Sequence, residues 1–260
     1  MFSVKNKLVN HIKTKIGKWQ IVHSPNRNFI WFKNAKTAGT SMYRGVMKNE
    51  IDDLLTYKEN PEEFDLWWDT LTDEKISNCF TFTFVRNPFD RALSAFSHII
   101  LEEVLWSHME TGRPHYSKDG EGLLNFDTVN MLFSLFISRV LQIYDINKKS
   151  VHWMPQHFFV KCDDESIVNF VGRYEDLEND WKYIANKLQI SENLPFVPAS
   201  HTQKEITGTR EEFQKLHWSK YYINDIIIDK VLEVCRKDID VLGYGYVERQ
   251  VRPFLTNIKK

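Results

Sequence analysis

The sequence predicts an α/β fold in which a central, mainly parallel sheet is flanked by helices. Short segments rich in β-branched and aromatic residues alternate along the chain with longer segments whose apolar residues recur at helical spacing. Basic residues follow two of the predicted strands, with Lys33 and Lys36 after the first and Arg86 after the second. Because ligands of such sheets bind beyond the carboxyl ends of the strands, these positions also predict where the functional site lies.

The clearest strands are predicted in the first third of the chain. Phe29–Phe32 is a short apolar run, and Phe80–Val85 combines aromatic and β-branched residues before the turn at Asn87-Pro88 ends it. Helices are predicted over residues 40–48, 62–78 and 90–106.

The remaining chain continues the same alternation. An apolar stripe from Val129 to Val140 predicts a helix with Asp127 as its N-cap, and Asn224 is predicted to cap a last helix that runs to about residue 237. Between them we predict strands at 158–161 and 167–171 and a helix at 176–188. The segments 107–125 and 191–210 show neither pattern and are predicted to be loops.

These elements are assigned to one domain, residues 28–250, between an N-terminal extension (1–27) and a C-terminal tail (251–260). The chain has 260 residues, of which 42% are hydrophobic, enough for a sizeable core. Its formal net charge of -1 argues against a protein that binds nucleic acid through a general basic surface.

Cysteine use and hydropathy bear on the cellular compartment. Cys79, Cys162 and Cys235 are far apart and form no C-x-x-C pair, which argues against a disulfide framework and against a zinc site. The basic N-terminus lacks an apolar run, and no segment holds about 18 uninterrupted apolar residues, so neither a signal peptide nor a membrane-spanning helix is predicted. We therefore expect a soluble, cytoplasmic protein.

The segment after the first strand, Lys36-Thr-Ala-Gly-Thr-Ser41, has the composition of an anion site. It leads into a predicted helix, whose first turn offers free N–H groups and the positive end of the helix dipole. Lys36 adds a charge, and the small residues Ala38 and Gly39 let backbone amides approach an oxyanion. Further donors are the hydroxyls of Thr37, Thr40 and Ser41. We interpret this segment as a site for phosphate or sulfate, against the alternative of a turn glycine beside a solvated lysine.

The segment is not a Walker A loop. In G-x-x-x-x-G-K-[ST] the lysine follows the second glycine, whereas Lys36 precedes Gly39 by three residues. A second anion site is predicted after the next strand, where Arg86 and Ser94, eight residues later in a helix, form a suitable pair for another phosphate. Each of the two also has a structural alternative, an ion pair for Arg86 and a bond to the helix backbone for Ser94.

Taken together, the two segments resemble the sulfotransferases that use 3′-phosphoadenosine 5′-phosphosulfate (PAPS). The resemblance covers about residues 28–246, and its later part is similar to carbohydrate sulfotransferases related to the chondroitin and HNK-1 enzymes. The later segments that carry it are His152-Trp153, 170–177, Tyr221-Tyr222 and 240–244. The chain departs from the family at Asn87, where an acid usually follows the arginine.

The resemblance implies a P-loop-like sulfotransferase fold and a donor site. Lys36 through Ser41 would hold the 5′-phosphosulfate, with Lys36 neutralising the charge that develops on the leaving phosphate. Arg86 and Ser94 would bind the 3′-phosphate, which ATP lacks. The acceptor would be a hydroxyl group, on a carbohydrate, the product nucleotide would be adenosine 3′,5′-bisphosphate (PAP), and no metal would be required.

The general base that takes the proton of the acceptor hydroxyl is left open by the sequence. Glu74 and His152 are our two main candidates, and Asp65, Asp69 and Asp73 are further carboxylates in the same region as Glu74. His152 also suits a buried histidine that organises the Trp153 region, and Glu74 also suits a solvated helix charge.

Two other functional classes compete with the transferase. The first is a P-loop-like nucleotide-binding protein or kinase that uses ATP, and the second is an inert protein that binds sulfated or phosphorylated ligands. The tryptophans are candidates for stacking on sugar rings, although core packing is their commoner role: Trp67, Trp68, Trp106 and Trp153.

Overall fold

Within the described residues, a five-stranded mixed sheet carries the residues of interest at one edge. The computed structural model describes residues 6–98, 126–143, 152, 154–195, 218–222 and 224–247. The predictions for Trp106, Trp153, the segment 107–125 and most of 191–210 lie outside these ranges.

The described elements, in chain order, are α1 (Lys7–His11) with a π-helical continuation (Ile12–Ile16), a 3-10 turn (Lys18–Gln20), β1 (Ile21–Ser24), β2 (Phe29–Phe32), a π-helix that we call the loop helix (Ser41–Met47), α2 (Lys48–Glu50), β3 (Leu55–Thr56), α3 (Pro61–Asp69), α4 (Asp73–Ser77), β4 (Phe80–Val85), α5 (Pro88–Phe96), α6 (Phe126–Ile143), a 3-10 turn (Gln156–Phe159), β5 (Lys161–Cys162), β6 (Glu165–Ser166), β7 (Phe170–Arg173), a 3-10 turn (Tyr174–Asp176), α7 (Leu177–Leu188), a 3-10 turn (Trp218–Tyr221) and α8 (Asp225–Leu242). None of these helices is long and apolar enough to cross a membrane.

The chain divides into two compact units. We call them the sheet unit (Met1–Arg86 with Met154–His201) and the helical unit (Asn87–Trp153 with Thr202–Lys260). Residues 21–24 of the predicted N-terminal extension form β1, which belongs to the sheet. The assignment of residues 28–250 to one domain stays a prediction.

The sheet of the sheet unit has the strand order β3-β1-β2-β4-β7. The pairs β2–β4 and β4–β7 are parallel, whereas β1 runs antiparallel to both β2 and β3. A four-residue turn, closed by a bond from the Asn28 N–H to the Pro25 carbonyl (3.2 Å), joins β1 to β2 and allows only an antiparallel pair. The α/β prediction is therefore confirmed, and the sheet is mixed rather than mainly parallel.

The core of the sheet unit lies between the sheet, the loop helix and α7. Trp31 of β2 and Phe82 of β4 stack with ring centroids 5.9 Å apart, and Met42 and Trp181 are buried in the same cluster. This packing holds the loop helix against the sheet, so the loop that connects β2 to the loop helix has a defined position.

Most of the predicted elements of the sheet unit are confirmed. Strands β2 and β4 have the predicted bounds, and the loop helix and α7 occupy the predicted segments 40–48 and 176–188. The segment 62–78 forms two helices, because the Thr72 hydroxyl caps a new helix by accepting a bond from the Lys75 N–H (3.2 Å).

The two strands predicted after residue 155 are displaced. The prediction of a strand at 158–161 is wrong, since a 3-10 turn begins after Pro155 and the Phe158 N–H donates to the Pro155 carbonyl (3.3 Å). The strand predicted at 167–171 is β7 and begins at Phe170. In both places the apolar run marked burial rather than an extended backbone.

The helical unit is built from α5, α6 and α8. Phe96 of α5 packs against Phe133 of α6 (ring centroids 5.3 Å apart), and the Tyr222 hydroxyl donates to the Phe89 carbonyl (2.7 Å). The predicted cap of the last helix is confirmed, because the Asn224 side chain accepts a bond from the Ile227 N–H (2.9 Å). Asn87 caps α5 in the same way by accepting from the Phe89 N–H (3.0 Å), which gives this departure from the family pattern a local structural role.

Candidate functional site

The carboxyl ends of β2, β4 and β7 meet at one edge of the sheet. We call it the carboxyl edge. Because β1 runs the other way, the residues that precede β1 also lie there, and the Lys33 N–H donates to the Gln20 carbonyl (2.7 Å). Strand β3 is parallel to β2 and ends at the same edge. The predicted meeting of Lys36 and Arg86 at this edge is confirmed by a direct contact, in which Arg86 Nη1 donates to the Lys36 carbonyl (3.1 Å).

The loop between β2 and the loop helix has an unusual backbone. Lys36 and Ala38 have φ angles of 69° and 64°, in the left-handed region that residues other than glycine rarely adopt. Thr37 between them does not, so the backbone alternates in hand. Where right-handed and left-handed residues alternate, successive N–H groups turn toward one side and make a concave nest that suits an anion, so we interpret the loop as such a nest.

The side chain of Thr37 supports the loop from inside. It is fully buried, and its hydroxyl donates to the Asn34 carbonyl (2.8 Å). The hydroxyl proton of Thr37 is therefore already used within the loop.

Gly39 and Thr40 belong to the first turn of the helix. The Ala38 carbonyl accepts a bond from the Met42 N–H (3.2 Å), so the amides of Gly39 and Thr40 precede the first donor that has an intrahelical partner. Gly39 does not have a positive φ, and an added Cβ there would lie 3.4 Å from Lys33 Cγ, an ordinary contact. Ser41 is largely buried, with 9% of its surface exposed.

Arg86 is held at its backbone and at its guanidinium. The Gln156 side chain accepts a bond from the Arg86 N–H (2.9 Å) and donates to the Arg86 carbonyl (2.7 Å). The guanidinium carbon lies 3.8 Å from the centroid of the Tyr174 ring, a close cation–π stack. Arg86 is thereby fixed over the ends of β4 and β7.

Gln156 also joins the ends of β2 and β4. Its Oε1 accepts a second bond from Asn34 Nδ2 (3.1 Å), and Asn34 Nδ2 lies 3.1 Å from the Phe84 carbonyl as well. Both side chains are fully buried. This small network couples the Lys36 loop to the Arg86 position.

Sequence reasoning missed Gln156, Asn34 and Tyr174. Tyr174 follows a predicted strand and falls within a segment that resembled the family, which was a usable signal. Gln156 lies 70 residues from Arg86 in the chain, and only the fold brings the two together.

Other predicted residues lie elsewhere. Glu74 is exposed on α4, which precedes β4 and so lies toward the opposite edge of the sheet from Lys36. Asp73 accepts bonds from the Leu8 and Val9 N–H groups (3.2 and 2.8 Å), and Asp65 pairs with Lys18 (3.0 Å).

Ser94 and His152 belong to the helical unit. Ser94 is partly buried on α5, and its carbonyl accepts a bond from the Ser97 N–H. The His152 ring contacts the His98 ring edge-on, with centroids 4.8 Å apart. Neither placement tests the role predicted for the residue.

Comparison with known proteins gives two matches. Residues 19–245 match the sulfotransferase family. The chain is also 25% identical over 177 residues to carbohydrate sulfotransferase 14 of Danio rerio, an alignment that covers 65% of this chain and 45% of that protein. The chain thus spans about half the length of this curated relative. No solved structure matches.

Proposed function

The chain belongs to the sulfotransferase family, and we propose that it transfers a sulfuryl group from PAPS to a hydroxyl group of a carbohydrate. The proposal depends on one observation, the loop in which Lys36 and Ala38 have left-handed φ angles. The Arg86 guanidinium donates a hydrogen bond to the backbone of this loop. This places a cradle of amides and a fixed cation at one edge of the sheet.

The residues present suit a donor with two anionic ends. The amides of Ala38, Gly39 and Thr40 would hold the 5′-phosphosulfate, since nest and helix N-terminus both favour an oxyanion. The planar guanidinium of Arg86, which lies against the loop at Lys36, would also bind a phosphate oxygen, because its fork of donors matches phosphate geometry. Ser94 is proposed to bind the 3′-phosphate.

Lys36 is proposed to act on the leaving group. In the reaction the acceptor oxygen forms a bond to sulfur while the bond between sulfur and the 5′-phosphate oxygen breaks, and the hydroxyl proton passes to a base. Negative charge therefore builds on the phosphate oxygen, and an ammonium group held by this loop stabilises it. PAPS supplies the sulfuryl group, and the chain supplies binding, alignment and this charge.

His152 remains our candidate for the base. A histidine titrates near neutral pH, as the role demands. Glu74 stays the alternative candidate, and its position on α4, toward the opposite edge of the sheet from Lys36, favours His152.

Two observations support a carbohydrate acceptor. The similar protein of Danio rerio is named a carbohydrate sulfotransferase. In addition, Trp19 at the carboxyl edge is 59% exposed and meets the Tyr57 ring at 85°, with centroids 4.6 Å apart. An exposed aromatic corner of this kind suits the apolar face of a sugar ring. The sequence-predicted Trp67 instead stacks on His23 (4.5 Å).

The test compares nucleotides and then measures transfer. We expect PAP to raise the melting temperature of the protein more than ADP with Mg²⁺, because only PAP carries a 3′-phosphate. Incubation with PAPS and a glycan panel should then yield a sulfated glycan by mass spectrometry. Stabilisation by ADP with Mg²⁺ but not by PAP would replace this proposal with the ATP-using alternative.

A cytoplasmic location is part of the same proposal. Cys79, Cys162 and Cys235 are free thiols, which suits a reducing compartment. Fractionation of cells that express the chain tests it, and recovery in a secretory compartment would contradict it.

A further inference from the structure

We propose that Lys33 binds an anionic oxygen of a substrate, so that the site contains a second lysine besides Lys36. The inference rests on the proposed function and deepens it. The anionic oxygen belongs either to the sulfuryl group of the donor or to an acidic group on the acceptor. These two sources share one chemistry, and the experiment below separates them.

Lys33 lies at the carboxyl edge, at the start of the loop that contains Lys36 and Ala38. It is the first residue after β2, and it precedes Lys36 by three residues. Its aliphatic stem passes Gly39, where an added Cβ would lie 3.4 Å from Lys33 Cγ and 3.7 Å from Cδ. Its ammonium lies 5.7 Å from the centroid of the Tyr43 ring, one turn further along the helix. The side chain therefore follows the helix that begins the donor site.

The charges around Lys33 leave it with an excess of positive charge. Lys58 and Arg44 repel its ammonium, and Glu59 is the carboxylate that attracts it. Glu59 is already engaged, because it accepts bonds from the Lys48 ammonium and from the Tyr43 hydroxyl (2.7 Å each). Among the described residues, no carboxylate lies within ion-pair distance of Lys33.

Burial makes this arrangement costly. It lowers the pKa of Lys33 below that of a free lysine, and the repulsion by Lys58 and Arg44 acts in the same direction. Lys33 is half-buried, and a charge that loses part of its hydration is stabilised by a partner of opposite charge. An anion delivered by a substrate would supply that partner.

Nearby lysines show what a purely structural lysine looks like in this unit. Lys18 pairs with Asp65 (3.0 Å), and Lys48 pairs with Glu59 (2.7 Å). Lys33 is more enclosed than these residues are and contacts an aromatic ring instead of an acid. A lysine that has no carboxylate partner in the described part of the chain is suited, at this edge of the sheet, to bind an anionic ligand.

The test uses Lys33→Met, which keeps the stem that packs on Gly39 and Tyr43 but removes the charge. The matched control is Lys182→Met, which removes an exposed lysine that pairs with Glu178 in the same unit. Calorimetric titrations measure the dissociation constants of PAPS and of PAP, which lacks the sulfuryl group. With PAP bound, two further probes are titrated, a tetrasaccharide that contains uronic acids and its carboxyl-reduced, neutral form.

We expect Lys33→Met to weaken one anionic probe about tenfold or more, the size of a lost charge-assisted hydrogen bond. If the variant binds PAPS more weakly than wild type does but binds PAP equally well, Lys33 contacts the sulfuryl group. If the variant binds the acidic tetrasaccharide more weakly but binds the neutral form as wild type does, Lys33 contacts the acceptor. Thermal stability should be equal to or above that of wild type, because methionine replaces a half-buried charge that has no carboxylate partner among the described residues, whereas loss of a structural ion-pair lysine would lower it.

Two results would overturn the inference. One is that Lys33→Met binds all four probes with wild-type affinity. The other is that it binds both members of a pair equally more weakly, PAPS with PAP or the acidic with the neutral tetrasaccharide. A wild-type protein that binds neither PAP nor PAPS overturns the proposed function itself, and this inference with it. The two failures are thus distinguishable.

Discussion

Lys36 and Ala38 hold a backbone conformation that costs free energy in any residue with a Cβ. Such conformations persist where neighbouring groups enforce them. Arg86 bonds to the Lys36 carbonyl, and Thr37 bonds to the Asn34 carbonyl, so the loop is fixed from both sides. An observed outlier of this kind points toward function, and here it coincides with the lysine that the sequence singled out.

Lys36→Ala should abolish most of the sulfate transfer and leave folding nearly intact. We expect at least about a 100-fold loss of kcat, the range found when one group that stabilises developing charge is removed. Stability should change little, because both residues bear the same left-handed strain at this position. Steady-state kinetics and thermal unfolding check the two halves of the prediction. Lys182→Ala, which removes only an exposed pair with Glu178, serves as the control. Near-normal turnover in Lys36→Ala would end its proposed role.

Arg86→Ala and Ser94→Ala should differ in kind. From sequence, both were expected to act on the 3′-phosphate alone, but the Arg86 guanidinium also bonds to the loop at Lys36. Arg86→Ala should therefore weaken both PAP and adenosine 5′-phosphate, by about tenfold or more for PAP. Ser94→Ala should weaken only PAP, by a smaller factor. Calorimetric titration of both ligands decides, and an Arg86→Ala protein that binds adenosine 5′-phosphate like wild type would show that the guanidinium does not support the loop.

At the scale of elements, Gln156 ties the end of β2 to the end of β4. Gln156→Leu would leave the Arg86 N–H, the Arg86 carbonyl and one Asn34 bond without this partner. Because a buried unsatisfied group costs about 1–3 kcal/mol, we expect a loss of about 3 kcal/mol in the free energy of unfolding, together with weaker binding of PAP. Urea denaturation and titration measure the two effects.

Thr83→Val is the matched comparison for this prediction. It removes one buried bond between the same two strands, from the Thr83 hydroxyl to the Phe32 carbonyl (2.7 Å). We expect a loss of about 1 kcal/mol and unchanged binding of PAP. If the free energy of unfolding of Gln156→Leu lies within about 0.5 kcal/mol of the wild-type value, the hydrogen bonds of Gln156 do not stabilise the fold as described.

Local pattern predicted most elements of the sheet unit but not how they are arranged. The apolar run at Phe29–Phe32 and the β-branched run at Phe80–Val85 form the strands expected. The run near Phe158 is also aromatic and apolar, yet a 3-10 turn begins after Pro155, since composition reports burial more directly than backbone geometry. The antiparallel β1 was not predicted, because residues 21–24 do not differ in pattern from a docked surface segment.

The same limit applies to the site. Parallel strands bring their ends together, so the meeting of Lys36 and Arg86 was predictable from the sequence. The αL conformation occurs at Lys36 and Ala38 rather than at Gly39, the residue type that favours it, and the composition of the segment did not predict this. Gln156 acts on Arg86 across 70 residues, and no local pattern encodes that distance.

At the scale of the whole molecule, stability should fall as the pH falls below about 6.5. Burial lowers the pKa values of His23 and His11 below the usual value near 6.5. His23 Nδ1 donates to the Phe29 carbonyl (2.8 Å), and His11 Nε2 donates to the Phe158 carbonyl (2.8 Å). Between the lowered pKa and 6.5 the unfolded chain binds more protons, so this contribution is fully present above pH 6.5 and is lost as the pH falls.

The variant His23→Gln isolates this effect. Glutamine keeps a donor for the Phe29 carbonyl but cannot take up a proton, so the slope of stability between pH 7 and pH 5 should become shallower, whatever the change at pH 7. Urea denaturation over that range gives the slope. An unchanged slope in the double variant with His11→Gln would show that other groups control the acid sensitivity.

The strand order also sets the sequence in which the sheet can form. Residues His23 and Phe29 of the β1–β2 hairpin are 6 apart in the chain, whereas β2 and β4 join residues 51 apart, and β4 and β7 join residues 88 apart. Closing the longer loops costs more entropy, so we expect the hairpin to form first and β7 to dock last. The Lys36 loop depends on Arg86 and Gln156, and would therefore acquire its shape only at the end. In refolding experiments, the capacity to bind PAP should return later than the protection of hairpin amides from hydrogen exchange, and simultaneous recovery would contradict this order.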